Sequence, residues 1–477
     1  MMKETEKMTT GVEGLDRILH GGIIRGSSIL LEGRPGTGKS ILGMQFLAAG
    51  VRQGEAGLLL SFEVKPRNLY RDAAAFGWDM RQFEQDGLLS IILASIPNTI
   101  EQLQTPNSPL ERTIIEMRVR RIVIDSITML EQLYPSFQER RLVSMAMLNA
   151  LNRLGLTSLI IMETTPQSPM VRSSVDSIWE LTNRLYEHRD YTVRRLRIRK
   201  VRGQNFIGGH HSFRIKDKVG IELFPRIGGH APQESTQMPS RDTRLSFGVS
   251  ALDEMLNGGV FAGTATMVAG ATGTGKSLLG LHFMLAGIQA GEKVLIFSLE
   301  EDVEQIIRNA QPLGFDLRTE IKADRLKIVF KGPAELDLNE HVGMILSETI
   351  GQGYSRVLVD SMSAYRTAAR NPVHFRDVLV TMLEEFRLHR ISSILTNETH
   401  ELGDLAMVTE DAVSTFVDNI ILLRYLEVNK RLSRALMVLK TRGSGHTDSA
   451  REFRIGEGGI HIEQVEASRV GMPFFLK

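Results

Sequence analysis

The chain has 477 residues, 42% hydrophobic and 24% charged, which is more than one ordinary domain and enough apolar content for real cores. Its 57 basic and 56 acidic residues leave a formal net charge of +1, so no general field draws it to nucleic acid or a membrane surface. There is no cysteine, which excludes disulfides, thiolate chemistry and cysteine-ligated metals; the polar N-terminus is not that of a signal peptide, and no apolar run reaches the about 20 residues of a membrane helix, so a cytoplasmic protein is expected.

In chain order, GVEGLDRILHGGIIRGSSILLEGRPGTGKS at 11–40 returns as GVSALDEMLNGGVFAGTATMVAGATGTGKS at 248–277. Gly11 and Gly248 lie 237 positions apart, as do Lys39 and Lys276, and Glu63 and Glu300. The spacing is 235 for Asp125 and Asp360 and 240 for Lys200 and Lys440. A near-constant offset over this length is a duplicated domain, not a short solenoid repeat. Each copy opens with an apolar run, 28–32 or 264–269, followed by a glycine-rich turn and a helical pattern, 40–50 or 277–287. A second apolar run follows at 56–62 or 293–299, a third ends in aspartate at 122–125 or 357–360, and a fourth lies at 158–163 or 392–398. Such alternation predicts an α/β domain with a mainly parallel sheet, whose strand ends line the ligand crevice. The polar stretch 229–245, with two prolines, reads as a linker between domains at 1–228 and 246–465, with a short tail at 466–477.

GRPGTGKS at 33–40 and GATGTGKS at 270–277 each match the P-loop pattern in full. Gly33, Gly36 and Gly38, with Gly270, Gly273 and Gly275, let backbone N–H groups wrap phosphates; Thr37 and Thr274 sit within the same turns. Lys39 and Lys276 place a cation on the β- and γ-phosphates, Ser40 and Ser277 offer a hydroxyl to Mg²⁺, and the following helix presents its positive end. Asp125 and Asp360, each closing an apolar run, are the second Mg²⁺ ligands or else helix caps. Glu63, Glu300 and Glu301 close the second run, where a carboxylate orients or deprotonates a nucleophile; the alternative is an exposed acid at a helix start. Adjacent Glu300 and Glu301 should titrate as a coupled pair.

Late in each half stand KVRG, with Lys200 and Arg202, and KTRG, with Lys440 and Arg442. Cations two apart on a strand share a side. They either reach an anion outside their own subunit, as an arginine finger does, or shield a strand edge. The wider cluster RRLRIRKVRG at 194–203 lacks interleaved aromatics, which favours a solvated face or subunit contact over nucleic acid.

The duplicated GV…LD…L.GG…G start, the two P-loops, the strand-end carboxylates and the K.RG doublets together resemble the KaiC family, the clock ATPases and autokinases of cyanobacteria with relatives across bacteria and archaea. The resemblance covers residues 8–465 and includes VTEDAVSTFVDNIILLRYLEV at 408–428, which is similar to the family's phosphorylation region. It implies two tandem RecA-like P-loop NTPase domains of α/β class with mainly parallel sheets, ATP and Mg²⁺ as cofactors, and a ring of six chains with ATP between subunits. By the same resemblance the second domain phosphorylates Ser414 and Thr415, Thr409 is a third hydroxyl of the pattern, Glu300 activates the hydroxyl, and Glu63 serves hydrolysis. Lys200 and Arg202, like Lys440 and Arg442, then reach a neighbour's nucleotide, and a KaiB-like protein is the implied partner. Three positions depart from the pattern. Val64 stands where a second glutamate is usual, His446 has no histidine counterpart in the first half, where Phe206 sits, and the tail after Gln464 is short, which argues against KaiA docking. A clock-like or stress-signalling relative is the expectation. Two other classes stay open: a RecA-like recombinase or helicase motor, disfavoured by neutral charge, and a nucleotide-gated scaffold, disfavoured by the intact carboxylates.

Overall fold

The computed structural model describes residues 6–164, 169–186, 191–226, 243–332, 337–369, 372–399, 413–428 and 431–466. Thr409, most of the 229–245 stretch and the tail from 467 lie outside the described residues. The chain divides into two compact units, Met1–Arg226 and Ile227–Lys477.

Among the described residues each unit is built on a nine-stranded sheet. In the first unit the order from one edge is Leu89–Leu93, Gly57–Ser61, Arg121–Asp125, Thr157–Glu163, Ser28–Gly33, Ser177–Tyr186, Tyr191–Val201, His210–Lys216 and Gly220–Phe224. The first six of these run parallel and the last three join antiparallel. The parallel strands read as continuous apolar runs because both faces are covered. Val123 and Ile161 pack toward the helix Lys39–Arg52, with Leu42, Phe46 and Leu47. Ile122, Ile124 and Ile160 pack toward the helices Ile96–Gln104 and Phe137–Arg153. The second unit repeats this order: Leu326–Phe330, Lys293–Ser298, Tyr354–Asp360, Ser392–Glu398, Ala265–Gly270, Asn419–Val428, Arg431–Thr441, Arg451–Gly456 and Gly459–Glu466. The α/β class with mainly parallel sheets is as expected; the antiparallel wing is what hydrophobic alternation had left unassigned.

Register brings the chemistry together. Gly33 pairs with Glu163 on one side and Leu181 on the other, and Ser61 pairs with Asp125. In the second unit Gly270 pairs with Glu398 and Leu423, and Ser298 with Asp360. The P-loop strand therefore sits at mid-sheet, where strand order reverses and a crevice opens at the carboxyl ends.

A buried arginine fastens each sheet to its P-loop helix. Arg121 is fully buried; its Nη1 donates to the carbonyls of Thr9 at 2.8 Å and Phe46 at 3.0 Å, and its Nε to Glu55 Oε2 at 2.7 Å. Arg356 does the same with Ser246 at 3.0 Å, Phe283 at 2.9 Å and Glu292 Oε2 at 2.7 Å. Each guanidinium also lies over a ring of that helix, Phe46 at 4.8 Å and Phe283 at 4.4 Å. One side chain thus ties the N-terminal segment, the P-loop helix and the aspartate-bearing strand.

Candidate nucleotide site

The phosphate-loop conformation follows from glycine. Gly36 and Gly38 have φ of +74° and +101°, and Gly273 and Gly275 have +77° and +106°, values a side chain would resist. Gly38 and Gly275 are the N-caps of Lys39–Arg52 and Lys276–Gln289, and no side chain caps either helix. Their first N–H groups and the helix dipole are thereby directed at the loop. Lys39 Nζ donates to the carbonyls of Gly33 and Arg34, both at 2.9 Å, and Lys276 Nζ to that of Ala271 at 3.1 Å. Burial pushes the Lys39 ammonium below its ordinary range, opposed by Glu163 and Asp125.

Ser40 is hydrogen-bonded to Asp125, and Ser277 to Asp360. Burial raises both carboxyls, and these hydroxyls and the neighbouring lysines oppose it. Thr396 also donates to Asp360 Oδ1. The peptide bonds Asp125–Ser126 and Asp360–Ser361 are cis. Ser126 Oγ lies 3.5 Å from Glu63 Oε1 and Ser361 Oγ donates to Glu300 Oε1, so each strand-end glutamate is held beside its aspartate. Glu301 takes a hydrogen bond from Asn309 Nδ2 at 3.0 Å, and burial, then Asp360 and Glu300, push its carboxyl up. Lys276, Ser277, Glu300, Glu301 and Asp360 line one cavity of about 650 Å³, with Leu281 and Leu313 on its apolar wall. A hydroxyl and a carboxylate are hard oxygen donors that suit Mg²⁺, which keeps waters and phosphate oxygens for its other positions. Among the described residues no cluster of three or more His, Asp or Glu holds a metal unaided, so the donor set fits an ion that arrives with a phosphate chain.

Glu163 and Glu398, at the ends of the fourth run, were not singled out from sequence. The Glu163 N–H donates to Thr128 Oγ1 at 3.1 Å and that of Glu398 to Ser363 Oγ at 3.0 Å; Glu398 also accepts from Thr272 of the P-loop. The repeated glutamate closing both runs was the available signal.

The basic doublets do not join their own P-loop. Lys200 Nζ donates to Val175 at 2.6 Å and Arg172 at 3.3 Å, and Arg202 Nη2 to Ser173 at 3.1 Å, all backbone carbonyls. Lys440 Nζ donates to the carbonyls of Ser414 at 2.6 Å and Val417 at 2.9 Å, and Arg442 to that of Thr415. They close the carbonyl end of the short helix Val413–Phe416. Ser414 is buried and Thr415 exposed, and neither lines the cavity of Lys276 and Glu300.

Two matching nucleotide constellations in one chain narrow the relatives sharply. The family model "ATPase: KaiC" matches residues 8–227 and 245–467. This chain belongs to the KaiC ATPase family. It is 33% identical to the circadian clock oscillator protein KaiC of Picosynechococcus sp., over 97% of this chain and 90% of that protein. The KaiC of Synechococcus elongatus is 33% identical over 96% and 89%, and the circadian clock protein KaiC3 of Synechocystis sp. is 32% identical over 96% and 92%. Membership in the KaiC family makes the chain an ATPase-family protein with two RecA-like domains. No helix among the described residues is long and apolar enough to cross a membrane.

Proposed function

We propose that the chain is a cytoplasmic Mg·ATP-dependent ATPase and serine/threonine autokinase that works as a ring of six copies, with ATP between subunits, in clock-like or stress signalling. The observation that carries this reading is a separation within one chain. Lys276, Ser277, Glu300 and Asp360 share a cavity, whereas Ser414 and Thr415 lie against Lys440 and Arg442, outside it. On this reading, a hydroxyl outside its own chain's cavity takes the phosphoryl group from the nucleotide of a neighbouring copy.

Mg²⁺ supplies charge neutralisation of the phosphates. Ser277 and Asp360 hold it in the second domain, and Ser40 and Asp125 in the first. Lys39 and Lys276 set a cation against the β- and γ-phosphates, which the loop N–H groups wrap. Glu300, with Glu301 beside it, accepts the proton of the Ser414 or Thr415 hydroxyl; the hydroxyl oxygen bonds to the γ-phosphorus as the bond to the bridging oxygen breaks and ADP leaves. Glu63 orients water for the same displacement in the first domain. Lys200, Arg202, Lys440 and Arg442 stabilise the neighbour's transferring phosphoryl group. The product carries about −1.5 to −2 charge next to Lys440 and Arg442, which would draw these cations from the carbonyls they cap and reset the ring for a KaiB-like partner.

The test is intact mass after incubation with Mg·ATP, beside Ser414→Ala/Thr415→Ala. Gains of one and two phosphates, absent from the double variant, support the autokinase. Unchanged mass with steady ATP turnover leaves an ATPase alone.

A further inference from the structure

The duplication lets each half serve as a control for the other. In the second half, Glu304 of the helix Val303–Ala310 forms a salt bridge with Arg318 of the helix Leu317–Lys322. The counterparts 237 positions earlier are Arg67, in the helix Pro66–Ala74, and Arg81, in the helix Met80–Gln85. The local geometry is otherwise kept. Gly77 and Gly314 both turn the chain at positive φ, +74° and +80°. Asp79 and Asp316 cap the second helix alike, accepting from the N–H of Gln82 at 3.1 Å and of Thr319 at 3.3 Å. An acid–base contact in one half is replaced in the other by two arginines that line the same hollow. Like charges so placed repel unless an anion sits between them.

Arg71, one turn beyond Arg67, adds a third guanidinium, and Asn68 an amide. Together with Arg81, Tyr70 and Trp78 they line a hollow of about 780 Å³, within the roughly 300–1,000 Å³ of small-molecule sites. The nearby acids are engaged. Asp72 pairs with its exposed neighbour Arg71 at 2.9 Å, and Asp79 is the helix cap. Glu84 takes the Tyr70 hydroxyl at 2.5 Å and the Ile91 N–H at 2.9 Å. Arg81 lies over the Tyr70 ring at 5.1 Å, and with Tyr70 fixed by Glu84 its guanidinium is pre-positioned. Among the described residues Arg67 makes no salt bridge. Arg308, Asn309, Pro312 and Leu313 line the nucleotide cavity in the second half; of their counterparts Arg71, Asp72, Ala75 and Phe76, Arg71 alone lines this hollow, so the hollow is centred on the other side of the helix from that cavity's counterpart and meets it at Arg71.

We propose that this hollow binds a small, multiply charged, phosphate-bearing anion through Arg67 and Arg81, in the first domain only, with Arg71, already paired with Asp72, at its rim. Guanidinium groups make charge-assisted, often bidentate bonds to phosphate oxygens. An anion there ties the helix Pro66–Ala74, which begins just after Glu63, to the helix Met80–Gln85. It would thereby act on first-domain turnover without entering the nucleotide cavity.

The experiment is isothermal titration of the full-length protein, held in saturating Mg·ADP, with inorganic tripolyphosphate as the probe. Wild type, Arg67→Glu and Arg81→Glu are compared. Arg67→Glu reinstates the pair seen at Glu304 and Arg318, so its thermal stability should be at least that of wild type. The expected result is one site per chain, weakened at least tenfold in both variants and weakened by added salt. Any displacement of ADP from the P-loops is common to all three proteins and cancels. No binding to wild type, or equal binding to all three, overturns the proposal. Tighter binding of an oligoglutamate peptide, lost in the same variants, also overturns it by making the occupant an acidic protein segment.

Discussion

Removing the Arg121 guanidinium in Arg121→Met tests how the first domain is held together. The carbonyls of Thr9, at the surface, and of Phe46, buried, lose a charged donor, and Glu55 keeps only Arg25. A hydrogen bond to a charged group is worth about 1.5–3 kcal/mol, and breaking a buried ion pair from one side costs about 3–5 kcal/mol. These contributions overlap, and the methionine stem retains part of the packing, so the net loss is about 4 kcal/mol. Both tryptophans, Trp78 and Trp179, lie in the first unit, so tryptophan fluorescence reads that unit within the intact chain. At an m-value of about 2.5 kcal/mol/M in urea, the fluorescence midpoint should fall by about 1.6 M. Arg356→Met removes the equivalent contacts in the second unit and should move the far-UV circular dichroism midpoint while leaving the tryptophan midpoint in place. A fluorescence shift below about 0.4 M for Arg121→Met, equivalent to about 1 kcal/mol at that m-value, would refute the clamp.

Acid should loosen both domains through buried neutral histidines. His211 Nδ1 accepts from the Arg226 N–H at 2.7 Å while Nε2 lies 3.0 Å from the Ile207 carbonyl, and burial pulls its pKa down to about 4. His341, packed on Tyr365, is pulled down to about 3 by burial. Folded values below the unfolded value of about 6.5 mean that this stability is full above pH 6.5 and is lost as pH falls toward 4 and 3. Between pH 7.5 and pH 5 each histidine should cost about 2 kcal/mol; urea midpoints at the two pH values check this, and an unaltered pH slope in His211→Gln would count against it. Glu63→Gln should lower first-domain ATP turnover about 100-fold and Glu300→Gln should lower phosphate incorporation similarly, while fluorescent nucleotide binding is retained; full activity in either variant removes that glutamate from the chemistry. Arg172 holds the fully buried carboxylate of Glu32 at 2.7 and 2.8 Å. Arg172→Ala should therefore cost about 3 kcal/mol by leaving a buried carboxylate unpaired, and Glu32→Ala in the same chain should restore most of it, as Ala269 occupies that register in the second unit. A double variant no more stable than Arg172→Ala contradicts the pairing.

The duplication, both P-loops and the aspartate closing each third strand were legible because each is written in contiguous residues. A glycine needing positive φ, a lysine and hydroxyl at the helix start, and an apolar run ending in a carboxylate fix local backbone and placement together. The same local logic set the strand and helix cores to within a residue or two, as at Lys39–Arg52 and Ala265–Gly270. Contacts between distant positions carried no such signature. Arg121 and Arg356 open apolar runs like any surface arginine, and only the fold buries them against Thr9 and Ser246. Glu32 looks like one polar residue in a strand until Arg172 meets it 140 positions on. Lys440 and Arg442 were readable as a doublet, but their place against the carbonyls of Ser414 and Thr415 depends on the antiparallel pairing of Asn419–Val428 with Arg431–Thr441. The sequence by itself determined the two glycine-rich loops and the helices they open, because those are properties of short backbone segments. Which side chains stand behind them, and that Arg67 and Arg81 line one hollow, was decided only by tertiary structure, because a charge's partner is set by packing across the chain and not by its neighbours along it.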